Sequence, residues 1–371
     1  MPVMLATILL SGLGFGLVLP SFLFFAGNLG ASSMVATTII GMFAIGQFIA
    51  TPIWGRLSDR IGRKPVLVLS LAGQALSYLL LALADNLWVL AAARLLNGLS
   101  AGNLSVAMAY ITDVTPVEKR AQGMGYAGGA ISLGFIIGPA LGGVLGGADA
   151  ESATLFLPGL VAMGVCAATA LAGICLLKES RTPEQRAAAL AERAHETGLA
   201  ATLRVFRMPI LALMVLVGFL AYVATAQFET IVPLWAGARF DWGPREVGLI
   251  FTFLGVIVGF TQAFLVGRLV PRLGEGRVVS AGLVCYIIGL LIMTQSPVWQ
   301  VMMLGITGTA AGGAMFTTAM NSLVSKQASE SDRGLVLGVF QSGGWMGRSL
   351  GPPVSGLLFG SIGPNAPLYL A

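Results

Sequence analysis

Three ionisable side chains stand inside long apolar stretches of this chain. They are Arg94 in Arg94-Leu95-Leu96-Asn97-Gly98, Glu229 in Gln227-Phe228-Glu229-Thr230, and Arg348 just ahead of Gly351-Pro352. A charge in an apolar surrounding is costly, so one that is retained is a functional candidate by default. A carboxylate can take up and release a proton, whereas a guanidinium stays charged at every accessible pH. Glu229 is therefore the candidate proton carrier, with Arg94 or Arg348 as the charge that modulates it. Structural salt bridging competes with this reading, and Glu229 also fits a place close to the outer interface. Ser11, Asn103, Tyr222, Gln227, Asn321 and Gln341 are polar side chains in similar surroundings and could line a cavity.

Other chemistries lack the residues they need. The cysteines Cys166, Cys175 and Cys285 are isolated and His195 is the single histidine, so no zinc or copper site is expected. H-E-x-x-H and G-x-x-x-x-G-K-[ST] are both missing, which removes metal hydrolysis and ATP drive. Neither an enzyme nor a cofactor is expected. The formal charge of +5 does not imply nucleic acid, because the basic residues sit in short segments between apolar runs.

The elements that must hold these groups are membrane-spanning helices. Charged residues are 10% of the 371 positions and hydrophobic ones 56%, with mean hydropathy +0.87, so the bilayer is the expected solvent. A span needs about 20 mostly apolar residues. Spans are expected near 4–26, 32–54, 65–84, 87–111, 121–147, 153–177, 210–236, 247–266, 278–294, 298–324 and 334–360. The first has no basic segment before it and is read as a retained helix rather than a signal peptide. Arg and Lys gather in one alternate set of connections, from Arg56 to Lys64, at Lys119 and Arg120, through Lys178 to Arg207, and on to Arg333. The opposite set holds only Arg239 and Arg245. That asymmetry puts the N-terminus in the cytoplasm. The expected organisation is a six-helix bundle over 1–177, a linker over 178–208 and a second bundle over 209–371. Thr182-Pro183-Glu184-Gln185 opens a short surface helix in the linker, closed by Gly198.

The two bundles repeat one plan. At an offset of 213 positions Pro20 falls on Pro233, Arg120 on Arg333, Gly134 on Gly347 and Gly138-Pro139 on Gly351-Pro352. With a slip of one residue, Gly55-Arg56-Leu57 falls on Gly267-Arg268-Leu269. Parallel six-helix repeats of this kind place substrate between the halves near the bilayer midplane.

Gly55, Arg56, Asp59, Arg60, Gly62, Arg63 and Lys64 form a segment that resembles the loop signature of the Major Facilitator Superfamily. Gly134, Gly138, Pro139, Gly142 and Gly143 resemble the motif of its antiporters, and Arg94 matches the motif whose Arg is linked to proton transfer. Ser11 to Pro20 resembles the first-helix motif of drug:proton antiporters, with Ser11 where many members carry Asp. The resemblance implies an all-α membrane fold of two pseudo-symmetric six-helix bundles, here eleven spans and a stub, with a twelfth helix expected beyond Ala371. Asp59 is implied to brace the outward-open state against the start of the eleventh span. The antiporter glycines, with Gly351 and Pro352, are expected to pack the interface between halves. The implied function is proton-coupled efflux of small hydrophobic or amphipathic compounds by a monomer in the cell's inner membrane. Sugar or metabolite efflux, or a non-transporting membrane sensor or truncated fragment of such a transporter, are the alternatives. Expected partners are a small molecule, protons and lipid.

Overall fold

The computed structural model describes residues 2–116, 119–180, 182, 184, 205–328 and 333–371. The helix expected after Thr182 lies essentially outside the described residues, as does the side chain of Asn103. In chain order the helices are α1 (Pro2–Asn28), α2 (Ser33–Ile61), α3 (Arg63–Ala82), α4 (Leu87–Ser100), α5 (Asn103–Val114), α6 (Arg120–Leu145) and α7 (Phe156–Leu176). There follow α8 (Pro209–Phe240), α9 (Pro244–Phe260), a π-helical turn (Thr261–Val266) running into α10 (Gly267–Leu273), α11 (Glu275–Thr294), α12 (Trp299–Gln327), α13 (Arg333–Ser361) and α14 (Ala366–Leu370). Nine of the helices described are long and apolar enough to cross a bilayer. Their outward faces carry large apolar side chains, such as Val144 at 70% and Leu304 at 61% exposure, which water would not tolerate in such number.

The expected fourth span is broken. Trp54 of α2 donates its indole N–H to the Leu99 carbonyl at 2.6 Å, the acceptor that the Asn103 amide would take in a continuous helix. The chain therefore turns at Ala101-Gly102 and restarts as α5. The segment from Gly55 to Lys64 is likewise not a loop. α2 continues through it to Ile61, and only Gly62, at φ +105°, makes the reversal into α3.

The chain forms two compact units, Met1–Glu196 with Asp241–Thr252, and Thr197–Phe240 with Phe253–Ala371. In the first, α1 lies along α6 because glycines let the backbones meet. A Cβ on Gly138 would sit 2.6 Å from the Leu13 carbonyl oxygen and 2.9 Å from the Gly16 Cα. Gly134 and Gly142 face α1 in the same way. The antiporter-type glycines Gly134, Gly138 and Gly142 thus hold two helices of one bundle together rather than the two halves, because it is α1 that crosses their face. Gly143 differs: it abuts Pro244 and Gly248, which belong to the same compact unit although they come from the second sequence half.

The second unit repeats the contact. A Cβ on Gly347 of α13 would lie 2.7 Å from the Phe219 carbonyl oxygen of α8, and one on Gly351 2.7 Å from that of Val223. Gly351 and Pro352 are both buried there. Phe340, Met320 and Val324 fill the core beside it, as Met4, Ile8 and Leu67 do in the first unit.

Candidate functional site

The α8–α13 contact of the second unit carries an ion pair. Arg348 on α13 donates to a carboxylate oxygen of Glu229 on α8, with about a quarter of the Arg348 side chain and a third of the Glu229 side chain exposed. Tyr222 and Tyr286 stand in the electrostatic surroundings of the pair. Tyr222 packs edge-on against Phe340 at 6.3 Å between ring centroids, and Tyr286 against Phe228 at 6.3 Å. These four rings come from three helices, α8, α11 and α13. A proton on Glu229 would cancel one charge of the pair and leave Arg348 without its counterion.

The polar side chains proposed as cavity lining are placed unequally. Gln227 is 2% exposed, and its Oε1 has no donor among the described residues. Asn321 spends one N–H on the Thr317 carbonyl at 2.7 Å, and Ser11 donates to that of Thr7 at 2.9 Å. Gln341 is exposed near the start of α13.

Arg94 sits elsewhere, inside the first unit. Its guanidinium carbon lies 5.8, 4.9 and 5.3 Å from the ring centroids of Phe15, Phe22 and Phe43, and the residue is 2% exposed. Among the described residues it makes no ion pair. Asn97, one helical turn on, donates to Ser77 at 2.7 Å.

A third cluster closes one end of the first unit. Arg63 bridges Asp59 at 2.9 Å and Asp113 of α5 at 3.2 Å, and also donates to Ser58. The Glu179 carboxylate accepts from the Arg63 and Lys64 amides at 2.8 and 3.2 Å, placing an anion at the start of α3 where the helix dipole favours one. Lys64 reaches the Ile174 carbonyl at 2.7 Å, while Arg60 is exposed. The sequence marked Asp59 and Arg63 but not Glu179, Tyr286 or the phenylalanines around Arg94. Tyr286, a hydroxyl in the middle of an apolar run, was the one signal it offered.

A family model described as Major Facilitator Superfamily matches residues 4–261 and, in a second match, 214–371. The chain belongs to the Major Facilitator Superfamily. It is 31% identical over 345 residues to a tetracycline resistance protein, class H, of Pasteurella multocida, covering 92% of this chain and 84% of that protein. It is 28% identical over 361 residues to multidrug resistance protein 2 of Bacillus subtilis, covering 96% and 88%. Among solved structures, the human organic anion transporter MFSD10 (TETRAN) matches at TM-score 0.72 and 26% identity, over 99% of this chain and 95% of that one. A bacterial homologue of the lysosomal transporter Spinster matches in fold at TM-score 0.82 and 14% identity, over 97% and 81%. This superfamily member is a multi-pass integral membrane protein and a secondary transporter of small molecules, not an enzyme.

Proposed function

We propose that this transporter exports small hydrophobic or amphipathic compounds in exchange for protons, with Glu229 carrying the proton and Arg348 as its exchangeable counterion. The observation that carries this reading is the Glu229–Arg348 pair, which lies in the body of α8 and α13 rather than at helix ends. Ionised, Glu229 ties α13 to α8. Protonated, it frees Arg348 to turn toward Tyr222 or toward a substrate, and the release of the proton on the other side restores the tie. The similarity to tetracycline and multidrug resistance proteins supports efflux as the direction.

In this reading Asp59 with Arg63 serves as a latch at the inner face, the N-terminus is cytoplasmic, and a monomer works in the cell's inner membrane. The functional divisions are a bundle over 1–177, a linker over 178–208 and a bundle over 209–371. Everted vesicles with an imposed pH gradient test the coupling. Glu229→Gln is expected to abolish gradient-driven uptake of a compound that the unsubstituted protein accumulates, and unchanged accumulation sinks the assignment.

A further inference from the structure

We propose that Arg94 is a receptor for the negative charge of a transported molecule, and that the preferred substrates are aromatic organic anions of the carboxylate class. This rests on the exporter reading above for its physiological meaning, but not for its chemistry. The guanidinium offers five N–H donors in a planar fork suited to a carboxylate. Here it is 2% exposed, and among the described residues Nε has no hydrogen-bond partner and no carboxylate pairs with the guanidinium. Three phenylalanine faces stabilise the charge without accepting its hydrogen bonds in the way an oxygen does. A buried cation kept with its donors unspent is costly, and a visiting anion supplies what the fold withholds.

The rings around Arg94 are unequally buried. Phe22 is fully buried beneath Arg94, whereas Phe15 and Phe43 are only partly buried and stack on each other at 5.0 Å between centroids. Phe15 in turn meets Phe135 at 5.6 Å, and Phe135 is 39% exposed. The rings thus run from the partly exposed Phe135 through Phe15 to the guanidinium. A rotamer change of Phe15 or Phe43 uncovers it, and the displaced ring contact is replaced by the ring of an aromatic ligand. A ligand bearing a positive charge meets the same rings with the opposite electrostatic sign and is repelled by Arg94.

The test is equilibrium binding to the purified full-length chain in detergent, with no proton gradient. Three probes of one shape are compared: 2-naphthoate, 2-naphthamide and 2-naphthylmethylammonium. The carboxylate is expected to bind tightest and the ammonium weakest. Arg94→Gln should weaken the carboxylate by about tenfold or more, the usual weight of a hydrogen bond to a charged group, with little change for the amide. Arg94→Lys should recover part of the loss. Equal binding of the three probes, a tighter ammonium, or an equal loss for carboxylate and amide in Arg94→Gln overturns the proposal. If neither variant is recovered monodisperse, the ranking on the unsubstituted protein decides alone. A chain that binds the carboxylate through Arg94 yet fails to move it under a pH gradient keeps this site and loses the exporter reading.

Discussion

Replacing one glycine of α6 by alanine separates close packing from helix propensity, because two glycines of the same helix meet opposite surroundings. At Gly138 the added methyl would lie 2.6 Å from the Leu13 carbonyl oxygen and 2.9 Å from the Gly16 Cα, both backbone atoms that cannot swing aside. At Gly128 it would meet nothing within 4 Å. The propensity gain of Gly to Ala, about 1 kcal/mol, is common to both and cancels in the comparison. What remains is the cost of prising α1 from α6, about 1–3 kcal/mol for one methylene forced into a filled contact. Gly128→Ala should therefore melt at or above the unsubstituted protein, and Gly138→Ala clearly below Gly128→Ala. Thermal unfolding followed by tryptophan fluorescence in detergent reads the difference. Gly351→Ala, at the repeat of Gly138 and 2.7 Å from the Val223 carbonyl oxygen, should behave like Gly138→Ala. Indistinguishable melting of Gly128→Ala and Gly138→Ala would refute the claim that glycine holds this contact by backbone approach.

Two further outcomes follow from the ion pairs. A double-mutant cycle on Glu229→Gln and Arg348→Gln should give a coupling of about 2 kcal/mol, between the values for exposed and for buried pairs because both side chains are partly exposed. A coupling near zero in thermal unfolding would remove the pair from the stability of α8 against α13. Asp113→Asn should destabilise by about 2 kcal/mol, because the side chain of its partner Arg63 is 4% exposed, whereas Lys326→Gln should cost less than about 1 kcal/mol, because that lysine is 65% exposed where it meets Glu275. Equal losses in the same melting assay would contradict the assignment of weight by burial.

The residues that could do chemistry were readable from sequence, but their partners were not. Glu229, Arg348 and Arg94 each announce themselves as charges in apolar runs, and the sequence linked both arginines to Glu229. The structure ties Arg348 to Glu229 and surrounds Arg94 with phenylalanines of α1 and α2. A phenylalanine in a spanning helix reads the same whether it faces lipid or a guanidinium, so that cage left no trace in the pattern. The break between α4 and α5 was hidden for a related reason. Its cause is an indole on α2, 45 residues away in sequence, competing for the Leu99 carbonyl. The charged segment from Gly55 to Lys64 looked like a loop because charges and glycines are dense there, but Arg, Leu and Ile continue a helix readily and only Gly62 requires the left-handed turn.

The repeat now separates frame from function. Positions 213 apart meet matching positions: Gly134 approaches Leu9 as Gly347 approaches Tyr222, and Gly138 approaches Leu13 as Gly351 approaches Ala226, the first of each pair through a carbonyl oxygen and the second through a Cβ. At the same offset the side chains between those contacts have diverged. Glu229 and Arg348 stand where the first half has Gly16 and Phe135, and Arg94 stands where the second half has Thr307. At the helix ends the same pairing survives with its polarity reversed. The residue after Gly62 is Arg63, bound to Asp113, and the residue after Gly274 is Glu275, bound to Lys326. A pair that tolerates reversal of sign is selected for the tie between helices, since only the attraction is kept. Glu229, Arg348 and Arg94 have no such counterpart in the opposite half. Charge kept inside the membrane without a counterpart in the repeat is what supports the transport roles proposed for them above.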